Sequence, residues 1–399
     1  MRKMAESPFA FFRGTAHLFY RDMAELPPSE FLDASTFRAR LMGDAHPGNL
    51  GAFRDGRGDF VFDINDFDEG YVGPVVWELR RMAAGLVLAA KANGLPEAIQ
   101  HNVVEEFAER YLDKLADFKG NPDEKTCSLT RDNTSGYVAK LIDKSSRRNR
   151  ADFLDKYTEA STGKRRFKRT KRLRALEASE HDAIIAAMPD YRSTIASDRR
   201  ESTAFHEVLD TCLRLGSGIG SLGFARYYVL IGGSSPDDNR ILEMKERPPA
   251  ALAPTAAFGR PGNAYDDHEG KRVAVTMRAM LTNTDPLVGH ATIDGAHYFV
   301  REKSPWARDF DVSKLTSKGK FETATKYIAR ALAGAHARSD RDYDAAIPYS
   351  VDTEITKAVR GKEKAFGHEL ADFALKYAST VEADHATFKT AYEAGATLF

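Results

Sequence analysis

Gly218-Ile219-Gly220-Ser221-Leu222-Gly223 restricts the fold more than any other segment, through the kind of element it leads into. A G-x-G-x-x-G that holds a dinucleotide must open into a helix, whose first amides take the pyrophosphate. Here it opens into residues 224–231, rich in aromatic and β-branched side chains, which predicts a strand. A turn-forming stretch at 232–239 then leads to a second apolar run at 241–246, so the pair reads as a β-hairpin with a long connection. That sets a dinucleotide fold aside. The other well-known use of such glycines is a hairpin tip whose backbone amides cover nucleotide phosphates, and it requires a lysine on the next strand. Lys245 stands there. Gly218, Gly220, Ser221, Gly223 and Lys245 are therefore the candidate nucleotide-binding residues. The plainer alternative is a glycine turn beside a solvated lysine.

Around this small strand-rich stretch the texture is helical. Ser7-Pro8 marks a first helix, with serine as cap and proline at the first helical position. Short apolar segments of strand type lie at 37–42 and 59–66, separated by the turn Arg54-Asp55-Gly56-Arg57-Gly58. Apolar residues recur at helical spacing over 75–92 and 97–118, and a further helix is expected over 203–215. Residues 270–282 read as helix, 297–302 as strand, and the chain from about Phe321 as helix. The organisation expected is α+β. A helix-rich lobe spans 1–205, a small antiparallel strand-rich lobe 206–305, and a helical return to the large lobe 306–399.

The chemical signals sit at the other end of the chain. Leu41-Met42-Gly43-Asp44-Ala45-His46-Pro47-Gly48-Asn49 places a carboxylate and an amide five residues apart across a Pro-Gly turn. A phosphotransferase needs a carboxylate to orient the acceptor hydroxyl and hard oxygen ligands for Mg²⁺. Asp44 suits the first role and Asn49 the second; an Asx-rich turn bonding only its own backbone is the alternative. Next comes Phe62-Asp63-Ile64-Asn65-Asp66-Phe67-Asp68-Glu69, with four acidic residues in seven positions. Carboxylates so crowded repel one another unless a cation compensates, so a bound divalent ion or a solvated acidic loop would account for them.

These two segments resemble the G-D-x-H-x-x-N loop and the metal-binding aspartate of aminoglycoside phosphotransferases and choline kinases. The resemblance implies Asp44 as catalytic base, Asn49 as metal ligand and Asp66 as the second metal ligand, by its spacing to Glu78. Asp63 competes with Asp66, being nearer the usual distance from Asn49. Glu78 departs from the pattern, which usually has an aspartate at the start of the following helix to brace the loop. In those families the glycine loop and lysine come before the catalytic loop; here they come after it. The resemblance therefore implies a circularly permuted, two-lobed kinase-like fold, with residues 327–336 as the helix that ordinarily precedes the catalytic loop. His336 and Arg338 at its end approach the site or serve packing. Glu269 is a candidate partner for Lys245. Over most of its length the chain also resembles a bacterial family catalogued as DUF2252, a domain of unknown function. Ser7-Pro8-Phe9-Ala10-Phe11-Phe12-Arg13-Gly14, the Gly43–Asn49 and Phe62–Glu69 segments, residues 216–223, Met244-Lys245-Glu246 and Ala335-His336-Ala337-Arg338-Ser339 carry that likeness. Family members often have further sequence before the Ser-Pro-Phe motif.

The implied cofactors are ATP and Mg²⁺, and the implied partners a nucleotide and a small-molecule or protein acceptor. Transfer of either the phosphoryl or the nucleotidyl group fits. A metal-dependent phosphoesterase using Asp44, His46, Asp63 and Asp66, with His290, His297 or His336, is a second reading, and a non-catalytic nucleotide-binding module a third. Lys+Arg and Asp+Glu balance at 58 each, so bulk charge directs the chain to neither nucleic acid nor anionic membrane. The basic run 164–174 could meet an acidic ligand, but a solvated loop is the simpler expectation. Arg13 could reach a phosphate or form a buried salt bridge. Only Cys127 and Cys212 are present, far apart and in no zinc spacing, and no apolar run is long enough for a membrane span. A cytoplasmic protein is expected.

Overall fold

The computed structural model describes the chain except residues 162–163, 217–222, 254–264, 342, 345–346, 348 and 397–399. Three helices open it: α1 (Arg2–Ala5), α2 (Pro8–Gly14) and α3 (Ala16–Glu25). The Ser7 hydroxyl accepts from the Ala10 amide at 3.1 Å, the cap expected at that point. Next come β1 (Arg38–Leu41), β2 (Leu50–Arg54), β3 (Phe60–Ile64) and β4 (Tyr71–Pro74), succeeded by the long helices α4 (Val75–Ala92) and α5 (Glu97–Phe118). α6 (Gly136–Ser146) and α7 (Arg150–Tyr157) lead to β5 (Thr158–Ser161), β6 (Lys164–Phe167), β7 (Leu173–Arg174) and α8 (Ala178–Thr194). After them come β8 (Val208–Arg214), β9 (Arg226–Ile231), β10 (Arg240–Glu246), α9 (Glu269–Met280), β11 (Gly289–Ile293), β12 (Ala296–Glu302) and β13 (Arg308–Asp309). α10 (Lys318–Arg338), α11 (Val351–Ala358) and α12 (Glu363–Glu393) complete the chain.

The result is an α+β fold in which every strand pairing is antiparallel. Six strands form one sheet in the order β11-β12-β10-β9-β8-β7, with α8 and α9 packed against it. Helices α4, α5, α10 and α12 pack on one another around the largest apolar core. α4 is apolar nearly all round, as a helix at the centre of a core must be, and all its residues from Val75 to Ala90 are buried. Three of them are charged: Glu78, Arg80 and Arg81. Charged groups survive inside a protein only when paired, which marks this helix for attention.

The segment 203–215 is not a helix. Phe205, Leu209, Cys212 and Leu213 fall at helical spacing, but Val208–Arg214 pairs with β9 and with β7, and the pairing overrides the local pattern. Nor is the basic run a solvated loop. Arg165 reaches both Asp155 and Asp237 at 2.6 Å, Arg169 pairs with Asp210, and β7 joins the six-stranded sheet. Among the described residues no helix is long and apolar enough to cross a membrane.

Candidate functional site

The loop 43–49 leaves β1 through Gly43, whose φ of +81° is one that L side chains rarely adopt. A Cβ there would lie 1.9 Å from the Glu69 carbonyl oxygen. The bare backbone at Gly43 is thus what lets the loop and the acidic turn touch. From α4, Glu78 reaches under the loop with no exposed surface, accepting from the Gly43 amide at 2.8 Å and the Met42 amide at 3.1 Å. Its Oε2 also accepts from His336 Nε2 at 2.7 Å. The Nδ1 of His336 is hydrogen-bonded to the Tyr111 hydroxyl, 2.8 Å away. The glutamate found where an aspartate is usual braces the loop directly, and His336 braces the glutamate.

Arg81, one turn beyond Glu78, holds Asp44. Its Nε donates to Asp44 Oδ1 at 2.8 Å, its Nη2 reaches the same oxygen, and Nη2 donates to the Phe12 carbonyl at 3.1 Å. The guanidinium lies over the Phe12 ring, 4.2 Å from its centroid. His46 Nε2 faces Asp44 Oδ2 at 3.5 Å, and Asn49 Nδ2 donates to the Asp44 carbonyl at 3.0 Å. Burial opposes ionisation of Asp44, but Arg81 and His46 outweigh it and hold the carboxyl well below the usual range. Three nitrogens around this point are buried with no hydrogen-bond partner: Arg13 Nε, His46 Nδ1 and Arg81 Nη1. No carboxylate pairs with Arg13 among the described residues; its guanidinium lies by Phe9 and close to Gly48.

The hairpin of β2 and β3 carries the chain from Asn49 back to the acidic turn. Leu50 pairs with Ile64, and the Asn65 amide donates to the Asn49 carbonyl at 3.1 Å, which brings Asp66 to the end of the 43–49 loop. Asp63 is drawn elsewhere. Its Oδ1 accepts from the Ile64 amide at 2.8 Å and its Oδ2 faces Arg338 at 3.7 Å. Burial pushes the Asp63 carboxyl up to about 6, with Arg338 opposing. Arg338 also donates to the Met280 and Glu124 carbonyls.

From the sheet side, Lys245 on β10 is buried and its amine stands 3.3 Å from Asp68 Oδ2. Arg247 meets the same oxygen at 2.6 Å. Arg301 of β12 donates to the Asn65 carbonyl at 3.2 Å and faces Glu243 at 3.7 Å. Burial would raise the Asp68 carboxyl, but Arg247, Lys245 and Arg301 hold it well below the usual range. Asp66 goes the other way, raised by burial and then by Asp68 beside it. Asp66 Oδ1 accepts from the Asp68 amide at 3.2 Å. Of the glycine-rich loop, Gly218, Gly220 and Ser221 lie outside the described residues. Gly223 has φ +98°, and Arg226, three residues on, pairs in register with Lys245.

Sequence reasoning singled out Asp44, Asn49, Asp66, Asp63 and Lys245; the structure sets the 43–49 loop, the acidic turn and the Lys245 strand side by side, with Asp63 turned to Arg338. It misplaced Glu269, which pairs with Arg272 one turn along α9, while Lys245 takes Asp68. It named Asp68 only as one of the acidic cluster, and it missed Arg81, Arg247 and Arg301. The signal for Arg247 was available, since Glu243 and Lys245 alternate along β10 and Arg247, just past its end, continues the spacing. Arg81 stands three residues after Glu78, on the same helix face. Arg272 gave no such signal; its buried guanidinium hooks the carbonyls of Gly70, Asp68 and Pro248, fastening α9 to the acidic turn.

A family model described as "Uncharacterized protein conserved in bacteria (DUF2252)" matches residues 1–391. The chain belongs to the DUF2252 family. The match takes in both halves of the site, from the helix that supplies the Phe12 carbonyl to the one that ends in His336 and Arg338. Neither the curated proteins nor the solved structures gave a match to this DUF2252 chain.

Proposed function

We propose that this DUF2252 protein is an ATP- and Mg²⁺-dependent phosphotransferase of circularly permuted, kinase-like design, acting on a hydroxyl of a small molecule or protein. One observation carries the reading. Lys245, on the strand after the glycine hairpin, stands 3.3 Å from an acidic turn that sits at the end of the 43–49 loop. The sheet supports it as well. The glycine-rich loop joins β8 to β9, the lysine stands on the next strand, and a helix comes after it, which is the kinase order of parts.

The donor set suits a divalent ion. Asp66 is a carboxylate whose charge burial and Asp68 both disfavour, and the Asn49 carbonyl, bonded to the Asn65 amide, keeps Asn49 beside it. Asp66 and Asn49 would hold Mg²⁺, which when bound neutralises phosphate charge. Lys245, Arg247 and Arg301 supply positive charge on the sheet side for the nucleotide phosphates. Binding would draw Lys245 away from Asp68. Asp44, kept anionic by Arg81, accepts the proton-bearing side of the acceptor hydroxyl and fixes its line of approach; so weakened a base acts chiefly by orientation. Arg13 Nε and Arg81 Nη1, both buried without partners, are donors that an anionic group entering beside Asp44 would satisfy. A phosphoesterase fits less well. His336 is committed to Glu78 and Tyr111, while His290 and His297 lie on β11 and β12 with His268 between their rings.

The test is binding of a non-hydrolysable ATP analogue with and without Mg²⁺, and then incubation with ATP and a panel of hydroxyl acceptors. Wild type should bind in a Mg²⁺-dependent way, Lys245→Ala and Asp66→Asn should not, and Asp44→Asn should bind without turnover. Product mass separates a gain of phosphate from a gain of AMP. Binding unaffected by Lys245→Ala and Asp66→Asn would overturn the proposal.

A further inference from the structure

Far from this site, two helices bring four metal-ligand side chains together. α5 presents His101 and Glu105, four residues apart on one face, and α12 presents His368 and Asp372 with the same spacing. The helices cross closely: a Cβ on Gly367 would lie 3.5 Å from that of Ala108. His101 Nδ1 is 3.4 Å from Glu105 Oε2, and His368 Nδ1 is 3.4 Å from Glu105 Oε1. One ligand atom from each of the three residues lies within 4.8 Å of the other two. The two imidazole rings stand at 62° with centroids 5.0 Å apart, so neither blocks the space between them.

We propose that His101, Glu105 and His368 form a zinc site that ties α5 to α12. Imidazole and carboxylate are the donors Zn²⁺ prefers. Around a tetrahedral zinc with bonds of roughly 2.0–2.1 Å, neighbouring ligand atoms stand roughly 3.3–3.4 Å apart. Each imidazole Nδ1 stands at that distance from one Glu105 oxygen, His101 from Oε2 and His368 from Oε1, so rotation of the carboxylate is what sets a single oxygen between them. Three protein ligands leave the fourth position to water. Asp372 supplies the outer support such sites use. Its Oδ1 faces His101 Nε2 and its Oδ2 faces His368 Nε2, each at 3.6 Å, so one carboxylate orients both rings with their Nδ1 atoms toward Glu105. All four side chains are at least partly exposed, so an ion enters from solvent without any opening of the fold. The site is independent of the proposed phosphotransfer centre.

Zinc is titrated into the metal-stripped full chain against a chromophoric chelator, with circular dichroism in chelator as a check that each variant is folded. Wild type should take up one more zinc ion than the His101→Ala/His368→Ala double variant. Asp372→Asn should weaken that ion about 10- to 100-fold. Asp66→Asn should keep it, which separates this ion from any zinc held at the Mg²⁺ centre. Cobalt bound in zinc's place should give the strong visible absorption of a four-coordinate ion, lost in the double variant. Equal zinc uptake by wild type and the double variant, or no uptake by either, would overturn the proposal; should the double variant fail to fold, a wild-type cobalt spectrum of six-coordinate type would do the same.

Discussion

Glu78→Gln tests the brace under the 43–49 loop at nearly constant volume. Glu78 accepts three hydrogen bonds with no exposed surface, one on Oε1 from Gly43 and two on Oε2 from Met42 and His336. A glutamine has one acceptor oxygen and one NH₂. With its oxygen toward Met42 and His336, the NH₂ confronts the Gly43 amide, and one bond becomes a buried donor–donor contact. Turned the other way, two bonds are lost. A hydrogen bond to a charged group contributes about 1.5–3 kcal/mol, and a buried unpaired donor costs about 1–3 kcal/mol. The better orientation therefore loses about 3 kcal/mol, a large share of the roughly 5–15 kcal/mol that holds a domain together. Urea unfolding monitored by far-ultraviolet circular dichroism measures this as a lower midpoint at unchanged slope. The double-mutant cycle with His336→Ala should show strong coupling, because both changes break the same bond. A Glu78→Gln midpoint within about 0.5 kcal/mol of wild type would show that the loop does not rest on this carboxylate.

Gly43→Ala should destabilise by about 2 kcal/mol or more, since the new Cβ meets the Glu69 carbonyl at 1.9 Å in a left-handed backbone; urea midpoints read it, and a neutral result would deny the close contact. Arg81→Met frees Asp44 and should lower turnover about 100-fold while nucleotide affinity shifts less than about threefold, because Arg81 positions the carboxylate and lies away from Lys245; equal loss in both would refute that division. His268 is lowered to about 4 by burial and by His297, and His290 to about 3 by burial and by His268. Both folded values lie below the unfolded one, so the unfolded chain binds these protons more readily. Stability should be steady above about pH 6.5 and fall as pH drops from there toward 4. Comparing urea midpoints at pH 7.5 and 5.0, His290→Phe should lose less than wild type.

How much of this could be read in the sequence depended on the range of the interaction. α4 and α5 begin and end where the apolar spacing placed them, because both lie in the core and their pattern is unbroken. Asp44, Asn49 and Asp66 were recognisable because a local device, the β2–β3 hairpin, gathers them within some twenty residues. Lys245 was recognisable only through the glycines before it. The residues that escaped notice depend on contacts distant in sequence: Arg81 on Asp44, Arg247 on Asp68, Arg272 on three carbonyls. β8 was misread for the same reason, since its partner strand, and not its own spacing, decides its conformation. Glu78 shows the limit from the other side. Its type looked like a departure, yet the longer side chain reaches two amides and a histidine.

The bond from Arg81 to the Phe12 carbonyl has a further consequence. Arg81 is held between the Asp44 carboxylate and the backbone of α2, so that helix helps to fix the aspartate. Shortening or displacing the first dozen residues would release the guanidinium and let the aspartate swing, even though Asp44 and Arg81 themselves had not been altered. Expression designs for this chain therefore do better to carry their purification handle at the other terminus, and any inactive N-terminal truncation is to be read as a dismantled site before it is read as a missing activity.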